Sequence, residues 1–290
     1  MSLVALQNTP QLTGRRDGAV TAAPAVCECC GGAHHEAVAM RRGLTLRRCR
    51  DCGVVFVWPR PTERMPANPP AAINVPPDSA LAMDNALIRH GIASGKFLEI
   101  GFAGEKPTLA SMSRLNWTVT GVGINDAPEL FQAANFADSS FDVVYVGSGV
   151  IAHVASPRKL LADARRILRP RGLLVLRTPN ARSGFAMLTL AAARVAHGSW
   201  IHSQAPHHLH EFTRRSLRML LESLGYELAW NRATGTSGLL PGAGANGLFE
   251  RLALMPVRAM GTVLDLLSRG GSELFIGARK PPQHYGARTS

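Results

Sequence analysis

Three features of the 290-residue chain predict an α/β fold with a mostly parallel, doubly wound sheet, preceded by a small cysteine-built ribbon. All five cysteines fall between positions 27 and 52. Seven prolines crowd the stretch from Pro59 to Pro77. After that stretch, short apolar runs ending in glycine alternate with segments of helical spacing, the pattern of strands joined by crossover helices. The expected organisation is a flexible tail over 1–24, the ribbon over 25–58, a proline-rich linker over 59–78, an α/β domain over 79–280 with a helical insert at 239–267, and a tail over 281–290.

The cysteines form two C-x-x-C-G knuckles, Cys27-Glu28-Cys29-Cys30-Gly31 and Cys49-Arg50-Asp51-Cys52-Gly53, with 18 residues between Cys30 and Cys49. A knuckle turns both sulfurs to one side, and its glycine lets backbone amides curl toward them. Two knuckles supply four soft ligands, which suits structural zinc held by Cys27, Cys30, Cys49 and Cys52, with iron as the alternative. Cys29 is either a competitor for that site or a spare thiol. His34 and His35 are read as surface residues, with substitute ligation as the alternative. Ala37 to Arg48 is expected to form a hairpin, and Val54 to Val57 a closing strand. Such a segment is too small for a core of its own, so the metal explains how it folds.

In the α/β part, Asp78–Ser79 can cap a helix running to about Arg89. Strands are expected over Lys96–Ile100, Thr118–Val122, Phe141–Val146, Gly172–Arg177, Tyr226–Trp230 and Glu273–Ala278. Helices are expected over Lys106–Leu115, Pro157–Leu168 and Arg214–Leu224. The insert opens with a glycine-rich loop and continues as an apolar helix that Pro256 kinks or splits. It reads as a lid or as a homodimer face over 247–267, with a membrane-surface role as the weaker alternative.

The order of several short pieces resembles the class I S-adenosylmethionine-dependent methyltransferases, a Rossmann-like fold, in the group with an N-terminal zinc ribbon. The pieces are Phe97-Leu98-Glu99-Ile100-Gly101-Phe102-Ala103-Gly104-Glu105, Val119-Thr120-Gly121-Val122, Ser140-Phe141-Asp142-Val143-Val144, Ile167 through Asn180, and Pro206-His207-His208-Leu209-His210-Glu211-Phe212-Thr213. The resemblance implies that S-adenosylmethionine is held by Glu99, Gly101, Phe102, Ala103, Gly104, Asp138, Gly147 and Ser148. It implies a small-molecule acceptor, a sugar or a secondary-metabolite intermediate. His153 and His208 are the candidate bases or acceptor ligands. The chain departs from the family pattern at Gly123, where an acidic residue is usual, and at Glu105. The nine residues Ala127–Asn135 are too few for a helix and an edge strand, so the third strand is expected to be missing. These departures leave a second reading, a binding or scaffold protein that keeps the fold without the cofactor.

The formal net charge is +12, from 28 Arg and 4 Lys against 20 acidic residues. The arginines are spread along the chain, which argues against a nucleic-acid partner and leaves RNA methylation as a minor alternative. No apolar run reaches about 18 residues without a charge, so no membrane span is expected. No secretory signal is read, which gives a cytoplasmic expectation with reduced thiols.

Overall fold

The computed structural model describes residues 26–60, 78–101, 107–123, 136–196, 199–235, 248–267 and 270–282. Most of the proline-rich stretch, residues 61–77, lies outside them.

The first sheet is antiparallel. It contains β1 (His35–Arg41), β2 (Leu44–Cys49), β3 (Val55–Val57) and β8 (His210–Glu211), in the order β1-β2-β3-β8. The hairpin and closing strand match the sequence expectation. The fourth strand does not belong to the ribbon segment at all. It comes from far downstream and pairs Val55 with Glu211 and Phe56 with His210.

The second sheet is the doubly wound one. Its strands are β4 (Gly95–Gly101), β5 (Trp117–Gly123), β6 (Phe141–Val146), β7 (Leu168–Pro179), β9 (Glu227–Thr234) and β10 (Glu273–Arg279), in the order β5-β4-β6-β7-β10-β9. Strands β5, β4, β6 and β7 are parallel, and β10 runs antiparallel to both β7 and β9. Among the described residues β5 is the edge; residues 124–135, where a third strand would fall, lie outside them.

Period-two alternation divides the side chains of this sheet between two cores. On one face Leu98, Ile100, Val144, Val146, Leu174 and Leu176 pack with α4 (Pro157–Ile167) and α6 (Arg214–Ser223). On the other, Phe97, Val143, Tyr145, Val175 and Phe275 pack with α1 (Asp78–Arg89) and with Met112 of α2 (Pro107–Met112). The helices start where the sequence supplies caps. Ser156 accepts from the amide of Lys159, and Thr213 and Ser216 form a reciprocal capping box. Such a cap contributes about 1 kcal/mol.

Two further helices complete the α/β part: the short α3 (Val150–His153) and α5 (Gly184–Val195). The insert is α7 (Leu248–Leu267), one continuous helix that carries Pro256 inside it. α5 and α7 meet backbone to backbone. A Cβ on Gly184 would sit 2.1 Å from the carbonyl oxygen of Gly261, and one on Gly261 would sit 2.6 Å from the amide nitrogen of Phe185. Asp265 Oδ1 caps the contact by accepting from Gly184 N at 2.7 Å.

The ribbon does not stand apart from the α/β part. Cys27, Cys29, Cys49, Cys52 and Phe56 share one continuous core with the α4 and α6 face of the main sheet. Val38, Leu46, Val55 and Val57 pack against Ala186, Ala193 and Trp200. The closing strand β3 is buried throughout, whereas Ala37 and Met40 of β1 stay exposed. Polar contacts seal the seam: Arg158 donates to the carbonyls of Glu28 and Cys29, Ser156 Oγ donates to Glu28, and Arg60 pairs with Glu28.

Candidate active site and metal centre

The two knuckles fold alike because their sequences do. Gly31 N donates to Cys27 O, and Gly53 N donates to Cys49 O, at 2.8 and 3.0 Å. Cys27 N and Cys49 N each donate five residues ahead, to Gly32 O and Val54 O. Gly31 and Gly53 have φ of 76° and 81°, the left-handed region that glycine enters without strain. The four sulfurs of Cys27, Cys30, Cys49 and Cys52 lie within 4.8 Å of one another. Cys27 Sγ is 3.6 Å from Cys52 Sγ, and Cys30 Sγ is 3.5 Å from Cys49 Sγ. A tetrahedral zinc with bonds of about 2.3 Å places its sulfurs about 3.8 Å apart. The cluster thus fits the ion, and four protein ligands leave no open position for chemistry. Cys29 is fully buried beside the cluster but outside the four-ligand group.

The second centre lies at the carboxyl end of the parallel strands. Gly101 closes β4, and among the described residues a Cβ built there would meet only the Glu99 side chain, at 3.8 Å. Residues 102–106, which follow it, lie outside the described residues. Gly147 follows β6 and ties to β4 through its amide, which donates to Ile100 O at 2.8 Å. Ser148 Oγ donates to Glu273 Oε1 at 2.7 Å, so its hydroxyl is engaged within the protein. Glu273 also pairs with Arg177, whose guanidinium lies over the Phe275 ring. Glu99 is buried on the same face. Phe102, Ala103 and Gly104 lie outside the described residues.

Asp138 is not brought to this edge. It sits in the turn before β6, at the amino end of the strand, where it is 74% exposed and pairs with Arg166 at 2.6 Å. The sequence expectation for Asp138 is corrected on that ground: a turn leading into a parallel strand lies at the edge opposite the ligand crevice. β5 ends in Val122–Gly123, with no acid at the position where the family usually has one, and Asp126, three residues on, lies outside the described residues.

The histidines do converge. α3 follows the β6 loop and ends in His153. The segment leading to β8 passes beside it, with Leu209 N donating to Ala152 O at 2.8 Å. This places the His153 and His208 rings edge to face with centroids 4.7 Å apart. His208 and Glu211 are 1% and 2% exposed, and Nδ1 of His208 is 3.4 Å from Glu211 Oε1. Gln204 N also donates to that oxygen, at 3.2 Å. Nε2 of His208 is buried with no hydrogen-bond partner among the described residues. Burial opposes ionisation of Glu211. The His208 charge and hydrogen bond, then His202 and Ser203, outweigh it and hold the carboxyl below its usual range. Glu211 is the buried acid that the sequence reading did not single out; the one signal available was a lone acid three residues after His208.

The segment carrying this pair is pinned along its length. Trp200 N donates to Met40 O, Val57 N donates to Leu209 O, and Ala181 N donates to Phe212 O. Two of those partners belong to the ribbon.

Burial pushes the His153 imidazole down to about 3, with the His208 and His207 charges adding to it and Glu211 opposing it. His210 is also lowered to about 3, first by burial and then by Arg60, against Cys27 and Glu211. Both are therefore neutral in the folded chain at pH 7. In the unfolded chain they titrate near 6.5. As pH falls below that value the unfolded state takes up protons that the folded state refuses. The stabilisation is thus full above about 6.5 and declines on acidification by about 1.4 kcal/mol per pH unit for each histidine. Urea midpoints should be flat above neutrality and fall steeply from about pH 6.5 to about 5; a constant midpoint there contradicts the assignment.

Residues 78–229 match the family model described as a methyltransferase domain, just over half of the chain. The chain belongs to that family, and its main sheet has the class I methyltransferase arrangement. No curated protein matches it. Solved structures similar to it include a putative methyltransferase in complex with the Haloferax volcanii Trm112 methyltransferase activator, at 16% identity, 72% of this chain, 96% of the other and a TM-score of 0.47. A second is a SAM-dependent methyltransferase from Archaeoglobus fulgidus, at 18%, 70%, 95% and 0.46. A third is the [4+2]-cyclase SpnF, at 14%, 77%, 89% and 0.45.

Proposed function

We propose that the chain transfers a methyl group from S-adenosylmethionine to a small-molecule acceptor, with His208 as the base that receives the acceptor's proton. The observation that carries this reading is the buried Glu211–His208 pair, whose Nε2 has no hydrogen-bond partner among the described residues. A buried polar atom left unpaired costs about 1–3 kcal/mol. A donor on the acceptor would relieve that cost.

The donor group, when bound, supplies an electrophilic methyl. Glu99, Gly101 and Gly147 would hold it, with Phe102, Ala103 and Gly104 as the turn that family resemblance assigns to it. Glu211 takes the Nδ1 proton of His208 as a hydrogen bond and so fixes the tautomer that leaves a lone pair on Nε2. That lone pair could take the proton of an acceptor O–H, N–H or acidic C–H, leaving the acceptor's electron pair to take the methyl from a bound sulfonium, whose thioether would depart as S-adenosylhomocysteine. His153, kept neutral by burial, lines the acceptor side and offers a ring edge to orient it. A sugar or a secondary-metabolite intermediate is the acceptor class that the resemblance suggests.

Incubation with methyl-labelled S-adenosylmethionine and small-molecule extract fractions tests the proposal. Label should enter an extract component only with active chain present, and should fail to do so with His208→Gln. The scaffold reading keeps one specific observation in its favour, the glycine at the end of β5. It requires that the chain bind no S-adenosylmethionine.

A further inference from the structure

α5 and α7 touch at Gly184 and Gly261 and diverge beyond that point, enclosing an open groove of about 610 Å³. Leu188, Ala192, Ile201, Leu254, Val257 and Met260 line it. Thr189 offers it no free hydroxyl, because Oγ1 already donates to Phe185 O and lies 3.2 Å from Trp200 Nε1, which donates to it. The occupant that fits is hydrocarbon without hydrogen-bonding groups.

The apolar surface continues past the rim. Leu188, Ala192 and Val195 form one helical stripe, and Pro256, Met260, Val263 and Leu267 form another. Val195 is 84% exposed and Leu267 78%; Leu266, Met260 and Val263 are also exposed. Isolated exposed apolar residues are ordinary, but two adjoining stripes around an apolar groove mark an interaction surface.

Charge selects the partner. α5 and α7 together contain two acidic residues, Glu250 and Asp265. Asp265 is buried against the α5 amide. On the same helices Arg194 is exposed and Arg258 is buried over the Phe185 ring, and the whole chain carries +12. A second copy would bring like charge against like charge. An anionic lipid surface supplies opposite charge and hydrocarbon together.

We propose that the α5–α7 face docks on an anionic bilayer, with an acyl chain entering the groove between the helices. The contact is peripheral, since no described helix is long and apolar enough to cross a membrane.

Flotation of the full, zinc-loaded chain with vesicles tests this. It should float with phosphatidylcholine vesicles containing phosphatidylglycerol, weakly with phosphatidylcholine alone, and less as salt rises. The double variant Val263→Asp and Leu267→Asp should lower the partition coefficient by about tenfold or more while melting like the parent, because both side chains are exposed. No flotation at low salt overturns the proposal. So does unchanged flotation of the variant, equal binding to both vesicle types, or a dimer by light scattering that the variant dissolves without any flotation of the parent.

Discussion

Cys49→Ser should cost the chain its metal, its folded ribbon and the fixed geometry of the His208–Glu211 pair together. Cys49 supplies one of the four sulfurs and also ends β2, the strand on which β3 pairs. β3 in turn holds His210 and Glu211 through its pairing with β8. Structural zinc contributes about 10–16 kcal/mol to small cysteine domains, comparable with the whole stability of an ordinary domain, about 5–15 kcal/mol. Metal analysis should give about one zinc per parent chain and well under that for the variant. Hydrogen exchange should speed up at the amides of 208–213 as well as in the ribbon. Cys29→Ser is the control: Cys29 is outside the ligand group, so the metal content should hold. If Cys49→Ser loses its zinc while the 208–213 amides stay protected, the ribbon does not brace the site.

His208→Gln should lower kcat by about 10²–10⁴-fold while leaving the affinity for S-adenosylmethionine within about twofold. Glutamine retains a polar group of similar reach but cannot take a proton. In the proposed chemistry Glu211 would be a positioning residue, acting through His208 while it accepts from Gln204 N. Glu211→Gln should therefore also depress kcat, and should alter its pH profile, which a purely structural loss would not do. Equal activity in His208→Gln would remove the histidine from the chemistry and leave it a packing residue beside His153.

The strands of the main sheet were legible because each is a short apolar run ending in glycine or a turn. The observed β4 is one residue longer at each end than expected, β6 has the expected bounds, and β10 adds Arg279. The metal ligands were legible because knuckle spacing is a local property. What the sequence withheld is tertiary. β8 is two residues long and its partner lies about 150 positions earlier, so no periodicity marks it. The ribbon was therefore read as a separate module behind a linker, whereas its cysteines and β3 share cores with the α/β part. No helix was expected at α5, yet its first residue is where the insert helix docks. Asp138 was assigned by family resemblance, and the structure puts it at the amino end of β6, the wrong edge. His208 was found from its motif. Glu211 was not, because its role depends on a fold that turns it back toward His208 within a segment of irregular backbone.

Calorimetric titration of S-adenosylmethionine into the purified, zinc-loaded chain tests the central claim, that the carboxyl end of β4 seats the methyl donor. The account predicts saturable heat at one site per chain, abolished by Gly101→Arg, with the zinc content of that variant unchanged. Absence of heat at millimolar donor, from a chain whose ribbon is metal-loaded and folded, would contradict it.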